Sequence, residues 1–144
     1  MTKIKEPKTK KEFEDYYRLR WDILRAPYKQ PKGSEKDDLE DKAIHLIALD
    51  NKKIIGVGRG HFNNNEEAQV RYMAIDNKYQ GKGIGGMILD ELEKRLKEKG
   101  ARYVVLNARE TALNFYKKHG YEVMGEAPTL YGKIKHSKMR KDLR

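Results

Sequence analysis

Between residues 81 and 86, four of six positions are glycine: Gly81-Lys82-Gly83-Ile84-Gly85-Gly86. The run lies between a strand-like segment, Val70 to Ile75, and a stretch in which Ile84, Ile88, Leu92 and Leu96 recur every fourth residue. That spacing predicts a helix from Ile84 to Lys99, with Met87 and Leu89 widening its apolar stripe and Glu91, Glu93, Lys94 and Lys97 opposite. Gly100 is placed to end it as a C′ glycine. Tyr103-Val104-Val105-Leu106 then reads as a strand buried on both faces, so residues 70 to 106 form one βαβ unit with parallel strands. A glycine-rich loop at the start of such a helix exposes backbone amides that lack intrahelical partners, at the positive end of the helix dipole. With Lys82 beside them, they form a cradle for a pyrophosphate.

Gly81-x-Gly83-x-x-Gly86 also satisfies the dinucleotide fingerprint, but the context disagrees. A nucleotide fold wants an acidic residue near the end of the second strand, where this chain has Leu106, Asn107 and Ala108, and further βαβ units that fewer than forty remaining residues cannot supply. A Walker loop fails as well, because no Gly-Lys-Ser/Thr occurs.

Elsewhere, Thr9-Lys10-Lys11-Glu12 is a capping box opening a first helix, through about Arg25, whose stripe is Phe13, Tyr16, Tyr17, Arg20, Ile23 and Leu24. Strands are predicted near Ile4, from Ala43 to Leu49 and from Ile54 to Phe62, with turns at 50–53 and 63–65. A polar segment, Pro27 to Lys42, carries Glu35, Asp37, Asp38, Glu40 and Asp41. The order predicts a mixed α/β sheet with a central parallel pair, in one domain spanning residues 1–144. A chain of 144 residues can bury roughly 68–70% of its unfolded surface, enough for one core and a groove.

The chain has no cysteine, which excludes a thiol nucleophile, a disulfide framework and Cys-ligated zinc; no metal site is expected. The N-terminal stretch is charged and no apolar run approaches membrane-spanning length, so a cytoplasmic protein with no membrane partner is expected. Of the formal charge of +10, residues 1–12 and 131–144 carry eight. A nearly neutral body with basic ends predicts no specific nucleic-acid partner, only weak attraction to polyanions.

Gln80-Gly81-Lys82-Gly83-Ile84-Gly85 is similar to the Gln/Arg-x-x-Gly-x-Gly/Ala signature of the GNAT superfamily of acyl-CoA-dependent N-acyltransferases. Ala112-Leu113-Asn114-Phe115-Tyr116 with His119-Gly120-Tyr121 resembles that family's second motif, at the right separation. Asn114-Phe115-Tyr116, Gly-x-x-x-Asp-Asp-Leu at Gly33 to Leu39, and Ile134-Lys135-His136 resemble its ElaA-like branch. Arg109 stands where many members carry asparagine. The resemblance implies that the strands at 70–75 and 103–107 splay apart and admit pantetheine, with backbone around Met73, Ala74 and Ile75 pairing with it. Gln80 to Gly86, meaning Gln80, Gly81, Lys82, Gly83, Ile84, Gly85 and Gly86, then hold the pyrophosphate of acetyl-CoA, and Asn107 and Asn114 offer further polar contacts.

Transfer of an acetyl group to an amine needs a neutral attacking nitrogen and a proton for the departing thiolate. Tyr116 matches the family's acid. For the base, His45, His61, His136, Glu110 and the carboxylates at 35–41 are all candidates; His136 is taken first because it matches the ElaA-like ending. The resemblance thus implies an acetyl-CoA-dependent N-acetyltransferase working by direct transfer in a ternary complex. A catalytically inactive acyl-CoA sensor of the same fold is the alternative. The expected acceptor is a small-molecule or peptide amine, drawn if cationic by the acidic loop at 35–41, and a homodimer is the candidate assembly.

Overall fold

The structure is a computed structural model describing residues 2–144; Met1, the first residue of the charged N-terminal stretch, lies outside the described residues. Seven strands form one sheet: β1 (Thr2–Lys5), β2 (Ile44–Asp50), β3 (Lys53–Phe62), β4 (Glu67–Ile75), β5 (Tyr103–Arg109), β6 (Glu122–Leu130) and β7 (Ile134–Asp142). Their order is β1-β2-β3-β4-β5-β7-β6, antiparallel except for the central β4/β5 pair. Three α-helices are described: α1 (Lys10–Leu24), α2 (Ile84–Glu98) and α3 (Leu113–Lys118).

The capping box forms as predicted, with Thr9 Oγ1 accepting from the Glu12 amide at 3.0 Å and Glu12 Oε1 accepting from the Thr9 amide at 3.1 Å. The Lys5 ammonium, with the backbone amides of Lys8 and Thr9, holds the Glu12 carboxyl down at about 2. At the other end of the chain's second helix, Gly100 adopts φ 106° and closes α2.

Apolar side chains gather into two clusters, one per sheet face. On the α2 face lie Leu46, Val70, Ile88, Leu92, Leu96, Val104 and Leu106; on the α1 face lie Tyr16, Leu24, Ile47, Val57, Tyr72 and Ala74. Gly56, Gly58 and Gly60 of β3 let α2 approach closely: an added Cβ would meet Ile88 at 2.9 Å, Ile88 at 2.7 Å and Leu96 at 3.0 Å respectively. Two details of the helical pattern differ from expectation. Met87 is exposed, because the stripe already fills the contact with β3. Glu93 is buried, because Tyr121 Oη donates to it at 2.8 Å and Lys141 Nζ at 2.7 Å, which compensates a buried carboxylate.

Candidate active site

The parallel pair is incomplete. β4 and β5 pair only over Glu67/Tyr103, Ala68/Val104 and Gln69/Val105; beyond these the strands part. Residues 70–75 stay bonded to β3 and residues 106–109 to β7, so the two facing edges present free backbone groups to each other across a split.

A β-bulge reshapes β4 at this point. The register steps from Val57/Ala74 to Arg59/Arg71, placing Tyr72 and Met73 opposite Gly58 alone. Tyr72 takes φ 59°, a left-handed conformation uncommon for a bulky residue. The extra residue reverses the alternation: Ala68 and Val70 belong to the α2 face, but Tyr72 and Ala74 belong to the α1 face. On that face the Tyr72 ring is surrounded by guanidinium groups, with Arg20 at 4.1 Å, Arg71 at 4.4 Å and Arg59 at 4.8 Å from its centroid.

The glycine loop divides into two parts. Gly81 (φ 77°) and Gly83 (φ 81°) are left-handed, and the space where a Cβ would stand is open. Gly85 and Gly86 are helical, and their missing side chains make room for α3 instead: an added Cβ would stand 3.2 Å from Phe115 and 2.8 Å from His119. The first hydrogen bond of α2 runs from the Met87 amide to Gly83 O at 3.2 Å, so the amides before it point out of the helix start, as an anion cradle requires. Gln80 braces the loop from below, its amide nitrogen 3.3 Å from Ile75 O and 3.1 Å from Asn77 Oδ1. Lys82 Nζ lies 5.5 Å from the Tyr79 ring centroid.

A cavity of about 410 Å³ occupies the split. Tyr116 and His136 both line it, together with Met73 and Asn107. Tyr116 is buried on α3, against Phe115 and Tyr121. Burial pushes its phenol up to about 12, the positive charge of Arg109 acting in the opposite direction. His136 reaches the cavity from β7, where it is paired with Arg109 of β5. Its Nδ1–H donates to Ile134 O at 2.9 Å, which leaves the Nε2 lone pair available as an acceptor. Asn107 is exposed on the cavity wall, whereas Asn114 is exposed on α3 away from it.

Sequence and structure comparisons bear on this arrangement. Residues 13–121 match the acetyltransferase (GNAT) family. The chain belongs to that family. It is 31% identical over 135 residues to the uncharacterized N-acetyltransferase YjcF of Bacillus subtilis (strain 168), covering 94% of this chain and 96% of that protein. The fold is similar to that of an aminoglycoside 6'-N-acetyltransferase complexed with coenzyme A, with TM-score 0.83, 16% identity, and 97% and 96% of the two chains covered. Escherichia coli ElaA shares the fold at TM-score 0.78 and 15% identity, with 99% of this chain and 100% of that chain covered.

Two expectations for this GNAT chain need correction. The acidic loop is not an open cation trap, because its central carboxylates are already engaged. Asp37 accepts from Arg59 Nη1 at 2.6 Å and Nη2 at 2.8 Å, and from Arg71 Nη1 at 2.9 Å. Glu40 accepts from Arg20 at 3.0 Å and Arg59 at 2.8 Å. Arg20 and Arg59 are fully buried, so these contacts compensate charges that water cannot reach. Only Asp38 and Asp41 are exposed. His45 and His61 are likewise committed. Tyr16 Oη donates to His45 Nδ1 at 2.7 Å and His45 Nε2–H donates to Glu40 O at 2.7 Å. Arg59 Nη2 donates to His61 Nδ1 at 3.2 Å, and His61 Nε2–H donates to Asn63 Oδ1 at 3.1 Å. Burial depresses both imidazoles.

Of the cavity's arginines, sequence reading marked only Arg109 and overlooked Arg25 and Arg71, as it did Arg59 behind them. Arg59 carried a signal, being a charge in the middle of an apolar strand. Arg25 and Arg71 carried none, since a helix end and a strand edge are ordinary places for arginine.

Proposed function

We propose that this GNAT chain is an acetyl-CoA-dependent N-acetyltransferase that acetylates a small-molecule or peptide amine by direct transfer in a ternary complex. The observation that carries the proposal is the meeting of Tyr116 and the free Nε2 of His136 in one cavity within the β4/β5 split. The open Gly81/Gly83 loop fits the pyrophosphate of the co-substrate, and the neutral pantetheine arm suits the free strand edges at 70–75 and 106–109.

In this scheme the amine nitrogen attacks the thioester carbonyl carbon, and the carbonyl π electrons move to its oxygen, where the amide near Met73 serves as an oxyanion donor. The attacking nitrogen, now positively charged, loses a proton to His136 Nε2, directly or through one water. Collapse of the tetrahedral adduct re-forms the carbonyl and breaks the C–S bond, and the sulfur takes the proton of the Tyr116 hydroxyl. Burial keeps that phenol protonated at neutral pH, and the Arg109 charge favours the phenolate left behind; exchange with solvent resets both groups.

The test is Tyr116→Phe, which keeps the ring. Calorimetry should show acetyl-CoA affinity unchanged, while release of CoA thiol with an amine panel falls about 10²–10⁴-fold in kcat. Wild-type turnover in this variant would return Tyr116 to a packing role. Acetyl-CoA binding with no thiol release from any amine would make the protein an acyl-CoA sensor.

A further inference from the structure

Arg25 is the most informative charge in the molecule, because it is buried without a counter-ion. Only 7% of it is exposed. Its Nε donates to Ser34 O at 2.9 Å and its Nη1 to Leu24 O at 3.2 Å; both partners are neutral carbonyls, and among the described residues no carboxylate reaches it. A buried guanidinium is ordinarily matched by an anion, as Arg20 and Arg59 are by Glu40 and Asp37. Arg109, half-buried, likewise lacks a counter-ion among the described residues. Its Nη1 donates to Tyr28 Oη at 3.1 Å, and no carboxylate of the described residues pairs with it.

Both side chains line the cavity in the β4/β5 split, with Arg71 and His136. No aspartate or glutamate lines it, and the carboxylate of Asp37, the partner of Arg71, is shared with Arg59. Arg25 enters at the end of α1, on the sheet face opposite α2. The glycine loop caps α2, so the phosphates of the co-substrate lie with α2 and the arm that enters the split is uncharged. The unmatched guanidinium groups therefore face the acceptor side. A stacked pair, Tyr28 and Tyr131 with centroids 5.5 Å apart, braces Arg109 there.

Resting on the transferase reading above, we infer that the acceptor is an amine carrying an oxyanion, a carboxylate or a phosphate, and that Arg25 and Arg109 hold that anion while the amine faces the thioester. Guanidinium forks match both oxyanions in the same planar, two-point way. The acceptor is thus the opposite of the cationic amine that the acidic loop suggests by composition.

Four matched probes test this: ethanolamine, 1,3-diaminopropane, β-alanine and phosphoethanolamine. Thiol release with acetyl-CoA should give kcat/KM at least about tenfold higher for β-alanine or phosphoethanolamine than for the neutral and cationic probes; the better of the two identifies the oxyanion. Arg109→Gln should reduce the anionic-to-neutral ratio about tenfold. Arg25→Lys should do the same through loss of two-point contact, once circular dichroism shows it folded; Arg109→Gln suffices if it is not. Calorimetric titration of β-alanine and phosphoethanolamine into the free and the CoA-loaded protein gives a readout without turnover. Equal kcat/KM for all four probes, or no binding of either anionic probe, overturns the inference. Loss of acetyl-CoA binding would instead remove the transferase reading, while anion binding to the free protein would still decide this one.

Discussion

Asp37→Asn separates a structural clamp from an acceptor site. The carboxylate holds Arg59 through two contacts, at 2.6 and 2.8 Å, and Arg71 through a third at 2.9 Å. Arg59 is 0% exposed. Two unit charges about 4 Å apart interact by about 4 kcal/mol at the effective dielectric of a protein. Asparagine keeps one acceptor oxygen and Glu40 remains 2.8 Å from Arg59, so part of that is retained and the expected loss is about 2–4 kcal/mol. For a chain of this size that lowers Tm by about 5–15 °C. Arg59 holds the Asp37 carboxyl well below the usual carboxylate range. A depressed carboxyl adds stability that is complete above its unfolded value near 3.9 and fades as pH falls below it. The gap between wild type and variant should therefore be full at pH 7 and shrink below about pH 4. Thermal unfolding by circular dichroism across pH reads it, with exposed Asp38→Asn as the control, expected within about 0.5 kcal/mol of wild type. An Asp37→Asn Tm within about 2 °C of that control would refute the clamp.

Three further outcomes rest on other contacts of the fold. His45 and His61 are depressed by burial, so the unfolded chain binds more protons, and stability should fall as pH drops below about 6.5, by at most about 1.4 kcal/mol per pH unit for each histidine; chemical denaturation at pH 5–7 should show that slope reduced in His45→Gln/His61→Gln. Gly83→Asp puts a carboxylate in the open cradle and should abolish acetyl-CoA binding by calorimetry, whereas Gly86→Ala meets His119 and should cost about 1–3 kcal/mol of stability through overpacking; equal effects on binding would contradict the division of the loop. Tyr121→Phe removes a donor from buried Glu93 and should cost about 1.5–3 kcal/mol in urea unfolding, and a neutral result would mean Lys141 satisfies that carboxylate alone.

Local order along the chain determined a good deal. The four-residue spacing of Ile84, Ile88, Leu92 and Leu96, the Thr9/Glu12 box and Gly100 each act within one or two helical turns, and each produced the predicted element. The glycine loop and the Phe115-Tyr116 motif were legible for the same reason, because a helix start and its neighbouring turn are set by residues adjacent in sequence. What only the tertiary structure decided depends on pairs far apart in the chain. The one-residue bulge at Tyr72 and Met73 turns Tyr72 toward the α1 face, and a period-two pattern cannot show where an extra residue is absorbed. The acidic loop looked like a free negative patch because Asp37 meets Arg59 and Arg71, and Glu40 meets Arg20, only after β3, β4 and α1 pack together. Arg25 looked like an ordinary cation at a helix end, and Arg109 only like a departure from a motif, for the converse reason. Charge is a property of composition, but whether a charge is matched is a property of neighbours, and those are chosen by the fold.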